Sequence, residues 1–369
     1  MRFSDTVSKI VERVFTLFTG VDRDNLYGLD HAILHVEVPP KGGMWMNMGY
    51  WKHTDNLPEA CEALLDQILI AANLVSEDKA PMKGDNNLRP EPATQGQIGL
   101  KLVDVGIGCG DQTLYLMRQL SKKPQPSTTT TSATTKDSNH RETRCWLDSY
   151  VGMTIAQSQA NLVQERLAAK AADGNSASLS SEKPKMKIFA ADAANPPSWS
   201  PEIKNAIFGD PETRSKDSCD TETWLLALDT LYHFKPSRKP LFKCAYGDME
   251  ASLMGFDLVL SDSASLWNKL ILRLICAFSG MPYSNFVTKD GYQDMLIRAG
   301  YERQMIEMHD VSEHVFSGLA KYLVNKDLEL KRYGMTIGKF KGAAKVFSWW
   351  ATSGLVRGVV FVARRSSKP

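Results

Sequence analysis

Residues 102–111 read LVDVGIGCGD. A run of strand-forming residues ends in glycines at 106, 108 and 110, and an acid follows. Glycines at alternate positions let a tight turn form and let backbone approach a ligand closely. A strand feeding such a loop and then a helix is the start of an α/β unit, and that constrains the rest of the chain. The remaining segments agree. Strand signals at 101–105, 146–151, 186–190, 224–228, 256–260, 301–308 and 356–365 alternate with helix signals. The helices fall at 112–120, 154–172, 237–253 and 288–300, the last opened by Thr288 and closed by Gly300. The pattern predicts an open, mostly parallel, doubly wound α/β sheet, with ligands at the carboxyl ends of its strands.

Three stretches read as insertions or linkers. They are 76–98, the low-complexity run within 121–143, and 195–222 with its four prolines. They divide the chain into an N-terminal helical cap (1–75), a ligand-binding core (100–264) and a C-terminal region (265–369) of lid helices and the last strands. The first 18 residues alternate apolar positions with Asp5, Lys9, Glu12 and Arg13. That is an amphipathic helix rather than a secretory signal. The six cysteines are scattered without a C-x-x-C pair, so neither a metal site nor a disulfide framework is expected, and free thiols suit the cytoplasm. A net charge of +2 is too near neutral to suggest a nucleic-acid partner by charge alone, and none is expected. NPPSW at 195–199 resembles a nucleic-acid methylation motif but follows the third strand rather than the fourth.

What the loop binds is narrowed by what it lacks. A triphosphate loop needs Gly-Lys-Ser/Thr at the helix start, and here the helix opens Asp111-Gln112-Thr113. A dinucleotide loop would aim its helix at a pyrophosphate, where Asp111 and Asp104 are repulsive. A ligand with an ammonium and a sulfonium tolerates both acids, and S-adenosylmethionine is such a ligand. Helix capping is the competing role for Asp111.

LVDVGIGCGD resembles the first motif of class I S-adenosylmethionine-dependent methyltransferases. WMNMGYW (45–51), YVGMTIAQSQ (150–159) and DVSEHVFSGL (310–319) resemble segments of the small-molecule branch that includes tocopherol, sterol and phosphoethanolamine methyltransferases. The resemblance implies a seven-stranded Rossmann-like methyltransferase fold. It implies that Asp104, Gly106, Gly108, Gly110 and Asp111 hold the methionine end of the cofactor and that Asp192 sits beside the adenine. Where most class I enzymes end the second strand with a ribose-binding acid, this chain has Gly152-Met153-Thr154. Thr154 and Gln157 then become the ribose ligands.

ALDTLYHFKPSR (227–238) resembles a segment of natural-product methyltransferases that carries a catalytic histidine. The resemblance makes His233 a base, with Tyr232 beside it and Asp262 as its partner acid. Shaping the pocket wall is the competing role for His233 and Tyr232, and helix capping the competing role for Asp262. His31, His35 and His53 show no cluster spacing and read as surface or packing residues.

The stretch 265–278 carries Leu266, Trp267, Leu270, Ile271, Leu274, Ile275 and Phe278 at helical spacing. Packing on the core is one role for this helix; the resemblance implies the other, a lid that with the N-terminal helix and 340–351 encloses an apolar chamber. Lys339, Lys341 and Lys345 beside Trp349 and Trp350 suit a membrane surface. The expected activity is methyl transfer to the oxygen, nitrogen or carbon of a small apolar metabolite. Two alternatives stand: an NAD(P)-dependent oxidoreductase on a similar sheet, and a non-catalytic relative that binds the cofactor.

Overall fold

The fold is built on β1, Ile98–Val105, whose Leu102, Val103 and Val105 are fully buried. Our description is of a computed structural model and covers residues 43–75, 98–120, 145–172, 184–209, 221–332 and 335–366. The amphipathic helix read at 1–18, His31 and His35, the segment 76–97 and the low-complexity run lie outside the described residues.

From β1 the chain passes through the glycine loop into α2 (Asp111–Leu120), preceded in the chain by α1 (Leu57–Ala71). There follow β2 (Cys145–Thr154), α3 (Gln157–Ala172), β3 (Lys185–Ala190), α4 (Pro201–Phe208), β4 (Thr221–Leu228), α5 (Lys239–Gly247) and β5 (Ser252–Leu260). The last part holds α6 (Leu266–Ser279), α7 (Lys289–Ala299), β6 (Ile306–Asp310), α8 (Phe316–Lys331), α9 (Phe340–Ser353) and β7 (Val356–Ala363). The seven strands form one sheet in the order β3-β2-β1-β4-β5-β7-β6. All neighbours pair in parallel except β7, which runs antiparallel to both β5 and β6. This is the expected doubly wound, mostly parallel seven-stranded sheet.

The sheet is apolar on both faces because helices cover both. Residues of α1, α2, α8 and α9 pack on one face and those of α4, α5 and α7 on the other. Between β1 and β4 the order of strands reverses direction along the sheet. Such a reversal leaves a crevice at the strand carboxyl ends, and the glycine loop opens into it.

Four local expectations need correction. Residues 195–222 are not merely an insertion: Ser200 caps Ile203 N–H, Pro201 sits in the first turn, and α4 crosses back to the sheet there. The helix expected over 237–253 stops at Gly247, since Ala251 N–H turns back to Ala245 and Glu250 takes positive φ. β5 therefore begins at Ser252. The strand expected over 301–308 is replaced at 303–305 by one tight turn and then runs Ile306–Asp310. Finally, 316–331 forms α8, a helix not expected from the sequence.

Candidate functional site

Beyond the carboxyl ends of β1 and β4 lies a cavity of about 490 Å³. Its floor is the glycine loop, which contributes Gly106, Ile107 and Gly108. Gly108 adopts φ +53, and a Cβ there would stand 2.8 Å from Met46 Sδ. Gly106 adopts φ +82, and a Cβ there would meet the Thr230 hydroxyl at 2.5 Å. Side chains at either position would therefore strain the backbone and fill the floor.

Behind the loop, Asp104 is fully buried. It accepts hydrogen bonds from Gln112 Nε2 at 2.8 Å and the Tyr150 hydroxyl at 2.7 Å. Burial pushes its carboxyl up to about 7, against the pull of these two donors. Asp104 does not line the cavity: its position is structural, holding the loop to α2 and β2. Gly110 also lies off the cavity, packed on Val163.

Asp111 does reach the cavity, but its charge is matched. Arg166 of α3 donates to both carboxylate oxygens, at 2.9 and 2.8 Å, and Met44 N–H donates at 3.0 Å. The repulsion of phosphate that the sequence suggests for Asp111 is thus largely cancelled by a cation from a distant helix.

The ribose candidates separate. Thr154 ends β2 and lines the cavity, its hydroxyl donating to Gln159 Oε1. Gln157 is exposed and bonded to Asn161, facing a shallow neighbouring pocket that it shares with Asp192. Gln159, by contrast, is buried in the cavity wall, as is Gln112. Aligning Gly152 with the glycine of the G-I-T-L-S-P-x-Q pattern already puts its glutamine at 159. Asp192 lies at the edge of both pockets, with Ala194 N–H donating to it at 2.8 Å.

Tyr232 and His233 sit in a single tight turn after β4 and both line the cavity, their rings 4.1 Å apart. Asp262, proposed as the partner of His233, is exposed beyond β5 and is not part of the cavity wall. The carboxylate that does join them is Asp229, the first residue after β4 and one the sequence did not single out. Asp229 adopts φ +57, and its Oδ2 accepts from Met48 N–H at 2.7 Å. Its Oδ1 is buried, makes no hydrogen bond and belongs to a residue of the cavity wall. Burial raises this carboxyl to about 8, opposed by Tyr232 and the Met48 N–H.

Asp229 gives the free protein a pH signature. The unfolded chain loses this proton near the usual carboxylate pKa, whereas the folded chain keeps it to about 8. Between those values the folded state binds more protons, so stability falls as pH rises. Asp104 acts in the same direction up to about 7. The midpoint of thermal unfolding of the ligand-free protein should therefore drop between about pH 5 and about pH 8, and Asp229→Asn should flatten that slope. A slope unchanged in Asp229→Asn would show that the carboxyl is not held neutral.

Most of the remaining wall is apolar. Ile275, Leu319, Leu323, Phe340, Phe347 and Trp350 reach in from α6, α8 and α9. The segment Met44–Met48 crosses from the loop side, and Gly49 and Trp51 beyond it are fixed by α1 and by the His314 carbonyl. Thus the stretches 45–51 and 310–319 meet each other beside the cavity. Lys339 and Lys235 stand in the wall as well. Among the described residues no group of three or more His, Cys, Asp or Glu could hold a metal ion.

No family model and no curated protein matches the sequence. Solved structures match by fold. A cyclopropane synthase from Mycobacterium tuberculosis aligns over 95% of this chain and 98% of its own, at TM-score 0.54 and 14% identity. A [4+2]-cyclase aligns over 93% and 95%, at TM-score 0.51 and 14% identity. The phosphoethanolamine N-methyltransferase 2 of Haemonchus contortus, solved with S-adenosyl-L-methionine, aligns over 94% of this chain but 61% of its own, at TM-score 0.54 and 12% identity. At these identities the likeness is one of fold.

Proposed function

We propose that the chain is an S-adenosylmethionine-dependent methyltransferase acting on a small apolar metabolite. One observation carries the reading: a glycine floor, a buried carboxylate oxygen without a partner and an apolar wall share one cavity at the strand reversal. A Cβ at Gly106 or Gly108 would collide with Thr230 or Met46, so the floor needs glycine there, and Asp229 Oδ1 is available to a cation. Both features fit this cofactor, as does the same fold carrying it in the Haemonchus enzyme. The four described cysteines that are free are all buried, which accords with a reducing compartment such as the cytoplasm.

The cofactor supplies a methyl group already activated on a sulfonium. The protein has then to bind, align and keep water out. Gly106 and Gly108 would admit the methionine end, Thr154 and Gln159 would hold the ribose hydroxyls, and Asp192 would bind beside the base. Asp229 would face the cofactor's cationic end, and a cation there would favour loss of its proton. The aromatic wall from α9 receives the acceptor. His233, half-buried beside Tyr232 in the cavity wall, would take a proton from an acceptor hydroxyl or carbon. Asp262 has no place in that step.

Calorimetric titration tests the reading. S-adenosylmethionine and S-adenosylhomocysteine should bind at micromolar strength, with Asp192→Ala weakening both by roughly tenfold through the loss of a charged hydrogen-bond acceptor. Repeating the titration in buffers of different ionisation enthalpy should reveal a proton released near neutral pH, absent in Asp229→Asn. Binding of NADH in place of both sulfur ligands would instead make the protein an oxidoreductase.

A further inference from the structure

The helix α6 has two faces that do different things. Leu272 and Cys276 are buried, and Ile275 and Ser279 form part of the cavity wall. On the outer face Leu266 is 86% exposed, Trp267 68%, Leu270 46% and Leu274 51%. At about 100° per residue these four span an arc of about 100°, so they form one continuous apolar strip. Single exposed leucines are ordinary, but a contiguous strip with a tryptophan is not. Arg273 and Lys269 lie along one edge of the strip, and Arg273 rests over the Tyr283 ring at 4.8 Å. The helix itself carries no acid; the nearest before it in sequence is Asp262.

We propose that α6 docks on an anionic phospholipid surface, with Leu266, Trp267, Leu270 and Leu274 inserted and Lys269 and Arg273 paired with lipid headgroups. The proposal rests on the reading of the cavity as an apolar-acceptor site, and gives that acceptor a source. The same helix that meets the lipid walls the cavity, so an apolar molecule leaving the bilayer beside α6 reaches the cavity with little passage through water. Among the described residues no helix is long and apolar enough to cross a membrane; α6 would lie along the surface. The charge pattern selects the lipid over a second copy of the chain. In a two-fold contact through this strip each helix would bring two bases and no acid toward its twin. An anionic headgroup layer offers those bases partners without end.

The test uses the full-length chain and sedimentation with vesicles, either of phosphatidylcholine alone or with phosphatidylserine added. Binding should need the anionic lipid and weaken as salt rises. Trp267→Glu with Leu270→Glu should weaken vesicle binding by more than about tenfold. Lys269→Gln with Arg273→Gln should weaken it by roughly tenfold, since each base near such a surface contributes a several-fold factor. Both variants should titrate with S-adenosylmethionine as the unaltered protein does. No binding to anionic vesicles, or binding indifferent to both pairs of substitutions, overturns the docking. So does a fall in solution mass of Trp267→Glu with Leu270→Glu, which would make the strip an interface between copies. Loss of vesicle binding with cofactor binding intact bears on α6 alone; absence of cofactor binding in every form refutes the function proposed for the cavity instead.

Discussion

Gly108→Arg is expected to abolish cofactor binding, by at least about a hundredfold, while leaving the fold in place. The backbone at 108 has φ +53, a conformation that costs a side-chain-bearing residue about 1–2 kcal/mol. The nearest obstacle to a new Cβ is Met46 Sδ at 2.8 Å, the far end of a flexible side chain. The protein can move it and remain folded. The ligand has no such freedom, because an arginine rooted in the cavity floor occupies its volume and adds a cation beside its own charge. Calorimetry should show no heat with S-adenosylmethionine, while circular dichroism and a midpoint of unfolding within a few degrees of the parent show that the sheet is intact. Gly108→Ala, with the same backbone cost and little added volume, should lose much less. Unchanged affinity in Gly108→Arg would move the cofactor site off this loop.

The second large effect is expected away from the cavity. Arg238 is fully buried and ion-paired with Asp257, which is also fully buried. Its other amino group donates to the Asn285 carbonyl, and the Tyr292 ring lies 5.0 Å beneath it. The Asn285 amide donates in turn to the carbonyls of Tyr232 at 3.1 Å and Phe234 at 2.8 Å, the residues on either side of His233. Arg238→Met leaves the Asp257 carboxyl deprived of its cation. Burial already raises that carboxyl, with Arg238 the largest opposing influence. Removing one member of a buried pair costs about 3–5 kcal/mol, which for a chain of this size lowers the unfolding midpoint by roughly 5 °C. Adding Asp257→Leu should recover most of it, because two apolar groups replace two charges. A single variant that loses less than about 1 kcal/mol would show that the pair is not closed to water.

How far the sequence could be read depended on the range of the interactions involved. The strand, glycine loop and helix at 98–120 are local: glycine spacing and apolar periodicity suffice, and the structure has them in place. The same holds for α7, where Thr288 caps Gly291 N–H and Gly300 ends the helix. In the 195–222 stretch the prolines were read as breakers, although Ser200-Pro201 is a helix start; position within the first turn decides between the two. The roles of the acids were not legible because they depend on distant partners. Asp104 and Asp111 look alike from the loop, yet one is buried behind Gln112 and the other is matched by Arg166, 55 residues on. Asp229 stood inside a quoted motif, and only the packing of Met48 across it shows that one carboxylate oxygen is satisfied and the other is not. Choosing Asp262 followed the end of the adjacent strand, where position alone does not say which way a side chain is buried.

The place of β7 sets the timetable of folding. It pairs with β5 along Leu253–Leu260 and with β6 along Ile306–Asp310, and so lies between two strands made well before it. Until the ribosome has released Val356–Ala363, β5 has an open apolar edge and β6 has nothing to join. The first five strands can zip in parallel during synthesis, but β5 and β7 pair only across nearly a hundred residues of intervening chain. A nascent chain stalled before residue 356 would display that edge to its neighbours, and such edges invite chaperones or aggregation. Closure by β7 thus comes after two of the helices that wall the cavity, α8 and α9, which lie between β6 and β7 in the chain.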